Sequence, residues 1–243
     1  MPRDTSQPEA TQVGAAAFLA ATRQLVRQLP GLVILKDLDS RILEMNGAVA
    51  ALLGIPLDVV AEGRFEWELA PFLAPYADAF RAQDQETLRH ARVRFIDVVR
   101  YSDGAPRVIL SEKVRLDDAA GRPCALLFQG TEVSGPVFGR IGALLLEHID
   151  RVRAGASGAA TYTLDWPAHV RQLSAREAEC LFFLLRGQTA RSIAERLHLS
   201  VRTVESYIVG LKNTFGCDTK VALIEAAIAE GYSSFLPPSI LGV

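Results

Sequence analysis

The sequence predicts an α+β fold followed by an all-α one: a five-stranded antiparallel sheet with helices, then four helices. Three observations carry this. Short runs of β-branched and apolar residues, some alternating with polar ones, recur as far as residue 131, the pattern of strands. From Leu173 onward the apolar spacing becomes that of helices. Between the two lies Gly155–Ala160, small and rich in Gly, Ala and Ser, the composition of a linker. A chain of 243 residues, 49% apolar and 22% charged, can bury two modest cores.

Residues 1–14 are polar, with acids and prolines, and read as a disordered leader. The first domain is assigned to 15–134. It opens with a helix over Ala15–Leu29, where Phe18, Leu25, Val26 and Leu29 fall at helical spacing and Pro30-Gly31 stops the run. Leu32–Lys36 and Arg41–Met45 flank Asp37-Leu38-Asp39-Ser40, hence strand, tight turn, strand. Asn46 caps a short helix over Gly47–Leu53, which Gly54 ends. Pro56, Gly63, Pro71 and Pro75 break 55–90 into short helices. Arg92–Tyr101 is rich in β-branched residues and ends at Ser102-Asp103-Gly104, a hairpin signal. Val108, Leu110, Val114 and Leu116 alternate with Ser111, Lys113 and Arg115, which predicts a half-buried strand with its apolar residues inward. Asp117 to Gly121 turns the chain into a last strand, Ala125–Thr131.

Gly135–Arg153 predicts a helix. Its stripe of Ile141, Leu144, Leu145, Ile149 and Val152 can seam against a second copy or pack on its own sheet. Region 135–153 is therefore a connecting helix and candidate dimer contact, and 154–171 a linker. The last domain is 172–234, with a tail at 235–243. Ser174 and Glu177 have the spacing of a capping box. The helix they open buries Ala178, Leu181, Phe182 and Leu185 and stops at Gly187. A second helix, Ala190–Leu197, opens at Thr189 and buries Ile193, Ala194 and Leu197. His198-Leu199-Ser200 turns the chain into a third, Val201–Thr214, which buries Val204, Ile208 and Leu211 and ends at Gly216. The fourth, Thr219–Glu230, carries Val221, Leu223, Ile224 and Ala227.

A short helix, a tight turn and a helix with a polar outer face make the geometry of a helix-turn-helix reader. A plain four-helix bundle with a solvated face has the same periodicity. The candidate DNA-binding residues are Thr189, Arg202, Thr203, Glu205, Ser206, Val209, Lys212, Asn213 and Lys220. Arg202 and Thr203 lie in a first helical turn, which attracts phosphate. Glu205 can accept from a cytosine amino group, Ser206 can donate or accept, and Val209 can touch a thymine methyl. Lys212, a turn further on, suits a phosphate.

Composition excludes several classes. The net charge of −2 is no nucleic-acid signature, and 170–232 holds eight Lys/Arg against seven Asp/Glu, so the DNA reading rests on pattern. No apolar run is long enough for a transmembrane helix, and the N-terminus lacks a signal-peptide pattern, so a cytoplasmic location is expected. Cys124, Cys180 and Cys217 stand far apart, with no metal-ligand spacing to His90, His148, His169 or His198; they read as reduced thiols, and no metal is expected. No nucleophile–base pair or phosphate loop stands out, so no enzyme is expected.

Leu173-Ser174-Ala175-Arg176-Glu177-Ala178-Glu179-Cys180-Leu181 resembles the opening of the LuxR-type (GerE-like) helix-turn-helix family. Gly187, Ile193-Ala194, Leu199-Ser200, Arg202-Thr203-Val204-Glu205, Leu211-Lys212 and Phe215-Gly216-Cys217 continue the resemblance in register. It departs at Tyr207, where many members have histidine, and at Gly210, which costs roughly 1 kcal/mol against Ala inside a helix. The individual base contacts therefore do not carry over. The resemblance implies a transcription regulator that binds inverted-repeat sites as a dimer. Its partners would be double-stranded DNA and a second copy, with RNA polymerase and a small-molecule ligand as further candidates.

Leu25 to Ser134 resembles a PAS sensor domain. The matching features are Gly31-Leu32-Val33-Ile34, then Asp37, Arg41-Ile42-Leu43 and Asn46, then Asp103-Gly104 before Val108–Leu116. The resemblance implies a five-stranded sheet around a core that can hold a small ligand. Candidate pocket positions are Leu43, Phe65, Leu69, Phe72, Val93, Phe95, Leu110 and Phe128, all of which also suit an ordinary core. Flavin-adduct members need a cysteine in the helical middle; Glu62–Leu73 has none, which disfavours that chemistry. Haem-binding members place a histidine just before the strand Arg92–Tyr101. His90 is the candidate axial ligand, and equally a surface residue. The cofactor is otherwise unknown. Two alternatives stay open: an acyl-homoserine-lactone domain with Trp67 and Tyr76 among its aromatics, and a PAS domain that only dimerises. A phosphate receiver is disfavoured, because Asp37 and Asp39 sit in a turn and the strand–helix alternation is absent.

Overall fold

The computed structural model describes residues 7–56, 58–59, 61–102, 106–133, 160–165 and 171–241. They form two compact units, 1–161 and 162–243. The helix expected over Gly135–Arg153, and most of the linker, lie outside the described residues.

The first helix, α1, spans Gln7–Val26 and so starts before the Ala15 that apolar spacing predicts. Gln, Glu and Ala are good helix formers, and Pro8 sits in the first turn, where its missing N–H breaks no helical bond. β1 (Leu32–Lys36) and β2 (Ile42–Met45) follow, then α2 (Gly47–Leu53). In the turn between the strands, the Asp37 carboxylate accepts from the backbone of Asp39 at 3.0 Å and Arg41 at 2.8 Å. Asn46 is buried and fully used. Its Oδ1 caps α2 at Val49 and accepts from Val33, while its Nδ2 donates to the carbonyls of Leu29 and Gly31. One side chain thus fixes the entry of β1 against the start of α2.

The middle is more helical than the prolines suggest. α3 (Glu66–Leu69) and a 3-10 turn (Pro71–Tyr76) lead into α4, a helix of 14 residues over Ala77–His90. Pro71 opens the 3-10 turn, and the Tyr76 hydroxyl accepts from the backbone of Arg100 at 2.9 Å. The sheet then completes with β3 (Arg92–Arg100), β4 (Pro106–Asp117) and β5 (Pro123–Glu132).

The strand order is β2-β1-β5-β4-β3, followed by β6 (Ala160–Thr163). Among the described residues the sheet therefore has six strands rather than the five expected. The extra one is short, and in the sequence it directly follows a Gly/Ala/Ser stretch whose composition predicts a linker. Pairing along β1, β3, β4 and β5 is antiparallel, with Ile34 opposite Phe128, Lys113 opposite Phe128, and Phe95 opposite Ser111. Opposed residues share a face. One face therefore carries Leu32, Ile34, Lys36, Phe128, Ser111, Lys113, Phe95 and Asp97. The other carries Val33, Leu35 and Ala125, which pack with Val26 and Leu19 of α1.

This register corrects the reading of β4. Ile109, Ser111 and Lys113 are buried, whereas Leu110 is 36% exposed. The inner face is the one with the hydroxyl and the ammonium, because carboxylates from α4 and β3 meet them there. Alternation gives the period of a strand and not its sign when the core itself holds charge.

The second unit is held by caps. Its helices are α5 (Ala175–Leu185), α6 (Ala190–Leu197), α7 (Val201–Phe215), α8 (Lys220–Ala229) and a short α9 (Pro238–Leu241). Ser174, Thr189, Ser200 and Thr219 each accept a backbone N–H from the first turn they precede. Such a cap contributes about 1 kcal/mol. The core holds Ala178, Leu181, Phe182, Ile193, Val204, Leu211 and Leu223. Val221 is 64% exposed, against expectation, because two residues along a helix from buried Leu223 is close to the opposite face. Arg186 is buried: its guanidinium lies 3.4 Å from the Phe182 ring centroid and donates to the carbonyls of Phe182 and Ser233. Leu236 is fully buried and its N–H bonds the Thr163 carbonyl at 2.9 Å, so the end of the chain closes on the start of the unit.

Gly210 lies inside α7, and a Cβ built there meets only the Glu177 Oε1 atom, at 3.7 Å. Gly210→Ala is expected to raise unfolding free energy by about 0.4–1 kcal/mol through helix propensity and a less flexible unfolded chain. Urea denaturation checks this; a loss of stability would show that α7 needs the glycine for packing.

Candidate DNA interface and ligand cavity

α6, the turn His198-Leu199-Ser200 and α7 form the helix-turn-helix. His198 ends α6 in the left-handed region (φ 54), and the Ser200 hydroxyl accepts from Thr203 N at 3.0 Å. These two devices set a tight turn without glycine. α7 buries Val204 and Leu211 and leaves Arg202, Glu205, Ser206, Val209 and Asn213 exposed. These five lie along the outer side of one helix, with Val209 51% exposed.

The other sequence candidates are placed less freely. Thr189 is the cap of α6, its hydroxyl bonded to Ser192 N. The Thr203 hydroxyl is within 2.7 Å of the Ser200 hydroxyl. Lys212 is half-buried and donates to the Asp218 carbonyl at 3.2 Å, and Lys220 is exposed at the start of α8. Ser206 donates to the Arg202 carbonyl at 3.0 Å, which leaves its oxygen open to a donor.

In the first unit, four charged side chains meet under the inner face of the sheet. Lys36 ends β1, Glu66 begins α3, Asp84 lies in α4 and Lys113 in β4; none is more than 6% exposed. Lys36 Nζ bonds Asp84 Oδ2 at 3.1 Å and pairs with Glu66 Oε1. Lys113 Nζ pairs with the other Asp84 oxygen and donates to the Phe80 carbonyl at 3.4 Å. Beside them, Asp97 accepts from Gln83 Nε2 at 2.5 Å and from the Ser111 hydroxyl at 3.2 Å.

The electrostatics follow from partner count. Burial works against the Asp84 charge, but Lys113 and Lys36 outweigh it and hold this carboxyl at about 2. Burial also works against Lys36, but Asp84 and Glu66 outweigh it and hold its ammonium above the usual lysine range. Lys113 has Asp84 as its close carboxylate; there burial prevails and lowers its pKa.

A cavity of about 70 Å³ opens against this cluster. Leu32, Ile34, Val49, Val99, Ile109 and Phe128 give it apolar walls; Lys36, Glu66, Gln83, Asp97 and Lys113 give it a charged edge. Phe128 can fold over the sheet because residue 130 is glycine: a Cβ there would stand 2.8 Å from the Phe128 ring.

Of the eight pocket positions named from sequence, Phe128 alone is among the residues lining this cavity. Val93 and Phe95 are buried on the same face but further along β3. Leu69 and Phe72 pack against the surrounding core. Phe65 stacks on Trp67 at 4.5 Å, with Arg41 and Arg81 over its ring. Leu110 points out of the core. Leu43 lines a separate cleft of about 220 Å³ with Arg23, Arg27, Glu44 and Glu62, whose charges pair as Arg23–Glu62 and Arg27–Glu44. His90, the last residue of α4, contacts Glu86 at 3.2 Å and is not among the residues lining the cavity. Among the described residues, no three His, Cys, Asp or Glu side chains group as metal ligands.

The charged edge escaped the sequence reading because lysine and aspartate default to the surface. One signal was present: Lys36 closes an unbroken apolar strand, Leu32-Val33-Ile34-Leu35, with every residue buried.

An antiparallel sheet cupping a cavity, joined in one chain to a capped helix-turn-helix, defines a sensor–DNA-binding architecture. Residues 171–227 match the sequence model of the bacterial regulatory proteins of the luxR family, and residues 26–136 match that of the PAS fold. The chain is a LuxR-type DNA-binding transcription regulator with an N-terminal PAS domain. Among solved structures, a phage VqmA–DPO complex is 29% identical over 94% of each chain, with a TM-score of 0.47. A Vibrio cholerae VqmA dimer without target DNA is 28% identical over 91% of this chain and 92% of that one, TM-score 0.46. A Vibrio cholera VqmA–ligand–DNA complex is 28% identical over the same shares, TM-score 0.44. No protein of curated function matches the chain. No helix among the described residues is long and apolar enough to cross a membrane.

Removing Asp84 leaves two ammonium groups buried together. Asp84→Ala is expected to cost about 3–5 kcal/mol in unfolding free energy. The Asp84 carboxyl, at about 2 in the fold, lies below its unfolded value near 3.9. Its contribution is therefore complete above about pH 4 and lost as pH falls through about 2. Denaturation at pH 7 and across the acid range checks both; a variant as stable as the parent would mean the cluster is not an ion-pair network.

Proposed function

We propose that this protein is a sequence-specific transcription regulator, not an enzyme, that works in the cytoplasm as a dimer. A small molecule bound in the PAS cavity sets its affinity for DNA. The observation that carries the reading is the outer face of α7, where Arg202, Glu205, Ser206, Val209 and Asn213 stand exposed on one helix. A helix of this kind fits the DNA major groove, where base edges are distinguishable. Glu205, Ser206, Val209 and Asn213 are assigned to base edges. Arg202, Thr203, Lys212, Lys220 and Thr189 are assigned to the backbone.

The cavity supports the second half. Buried ion pairs are poor stabilisers compared with apolar packing, so a charged cavity edge favours a binding role over dimerisation alone. A volume near 70 Å³ favours a compact ligand over an acyl-homoserine lactone. A ligand acts by preferring one arrangement of the sensor, and shifts DNA affinity only by that difference. Region 135–153 is the candidate for the dimer contact.

Arg202→Ala is expected to weaken binding to all duplexes and reduce the salt slope by about 1. Ser206→Ala and Val209→Ala are expected to relax base preference by about 1–3 kcal/mol at single positions. Selection of duplexes by the wild type, then titration of each variant at several salt concentrations, provides the check. Equal weakening on every sequence by all three variants would remove α7 as the reading helix.

A further inference from the structure

The chain on either side of α5–α8 folds back on itself. Residues 162–165 lie before the luxR-family match and 230–236 after it. Tyr162 and Leu164 are buried, as are Tyr232, Phe235 and Leu236. Thr163 and Phe235 pair as a parallel bridge, next to the Leu236 N–H bond to the Thr163 carbonyl at 2.9 Å. Arg186 contacts both segments: its guanidinium stands 5.1 Å from the Tyr162 ring centroid and donates to the Ser233 carbonyl. The leading and trailing segments thus form a clasp beside the end of α5.

Arg171 links this clasp to α7. That helix ends at Phe215, and its last carbonyls need donors from outside the helical ladder. The N–H groups of Gly216 and Cys217 serve Asn213 and Lys212. Arg171 Nη1 donates to the next carbonyl, that of Thr214. A cation placed there also meets the negative end of the helix dipole. Arg171 Nη2 pairs with Glu230 at 3.2 Å, and the guanidinium stands 5.4 Å from the Phe215 ring centroid. The Tyr232 hydroxyl donates to the Arg171 carbonyl, and its ring meets Phe215 edge-on with centroids 5.4 Å apart. The ion pair is partly exposed and by itself contributes little. Its value is positional, because the same side chain holds the end of α7.

We infer that Arg171 is a positioning residue for DNA recognition: with Glu230 and Tyr232 it anchors the C-terminal end of α7, and so sets the angle at which Glu205, Ser206, Val209 and Asn213 are presented. None of the three anchoring residues needs to touch DNA to do this. Both terminal nitrogens of Arg171 are committed within the unit, which separates it from Arg202, the residue assigned to phosphate. Residues beyond the luxR-family match, 230–236, therefore govern how well one sequence is told from another. The inference rests on the reading of α7 as the recognition helix.

The test uses the full-length protein and three variants, Tyr232→Phe, Glu230→Ala and Arg171→Met, with Val209→Ala as the reference. Each is titrated at several salt concentrations against the duplex that the wild type selects and against an unrelated duplex. The expected result is binding to the selected duplex about three- to tenfold weaker in all three clasp variants. The salt slope stays unchanged, and the unrelated duplex is bound within about twofold of the wild type. Glu230→Ala decides on sign: loss of a negative charge favours DNA by electrostatics alone, whereas loss of an anchor weakens the selected duplex. A salt slope lower by about 1 in Arg171→Met, with equal weakening on both duplexes, makes Arg171 a phosphate contact and overturns the inference. Unchanged affinity for the selected duplex in Tyr232→Phe and Glu230→Ala overturns it as well. If Arg171→Met does not fold, those two variants decide. Val209→Ala separates the two claims. If it relaxes base preference while the clasp variants bind as the wild type does, α7 reads DNA and the inference alone fails. If it changes no base preference, the reading of α7 has failed and the inference falls with it.

Discussion

Asp84 holds two lysines inside the first unit, and the architecture around the cavity depends on that bond pair. It lies in α4, while Lys36 and Lys113 come from β1 and β4. One carboxylate therefore ties the helix to strands on either side of β5. The cluster cannot be taken apart piecemeal, since removal of one partner leaves another charge buried without compensation. It also fixes register. Slipping β4 by one residue would turn Lys113 outward and bring Glu112 or Val114 to face Asp84.

The same cluster gives the cavity its character. Aliphatic and aromatic walls alone would make a dry space open to any apolar molecule. The charged edge sets Glu66 and Lys36 among those walls, so one side of the space is polar. Gly130 contributes by absence of a side chain: Phe128 occupies the space a Cβ would take. The cavity walls and the buried core share residues, Leu32, Ile34, Val49 and Ile109 among them, so a change in packing changes the cavity.

The second unit is organised by short-range chemistry. Hydroxyl caps at Ser174, Thr189, Ser200 and Thr219 start its helices, and His198 and Gly216 end two of them in the left-handed region. With both ends of α6 and the start of α7 fixed locally, the turn between them needs few tertiary contacts. Buried Val204 and Leu211 then set the rotation of α7, which decides which side chains face outward. Arg171 adds a longer tie, its guanidinium bonding the Thr214 carbonyl near the end of α7 and pairing with Glu230 at 3.2 Å.

What the sequence by itself determined follows from this difference. Caps, turns and apolar periods are local, so the helices of the second unit, the outer face of α7, and five strands of the sheet were legible within a residue or two, while the short β6 was not. The turn at Asp37 and the caps at Asn46 and Gly54 were legible for the same reason. The tertiary structure alone decided which face of β4 is inside, where the cavity lies, and that its edge is charged. Those depend on Asp84, Glu66, Lys36 and Lys113, which are far apart in the chain. A buried lysine is stable only with its carboxylate beside it, and periodicity carries no record of which carboxylate that will be. The aromatic positions chosen from sequence were mostly core, because a large ring is buried whether or not a cavity adjoins it.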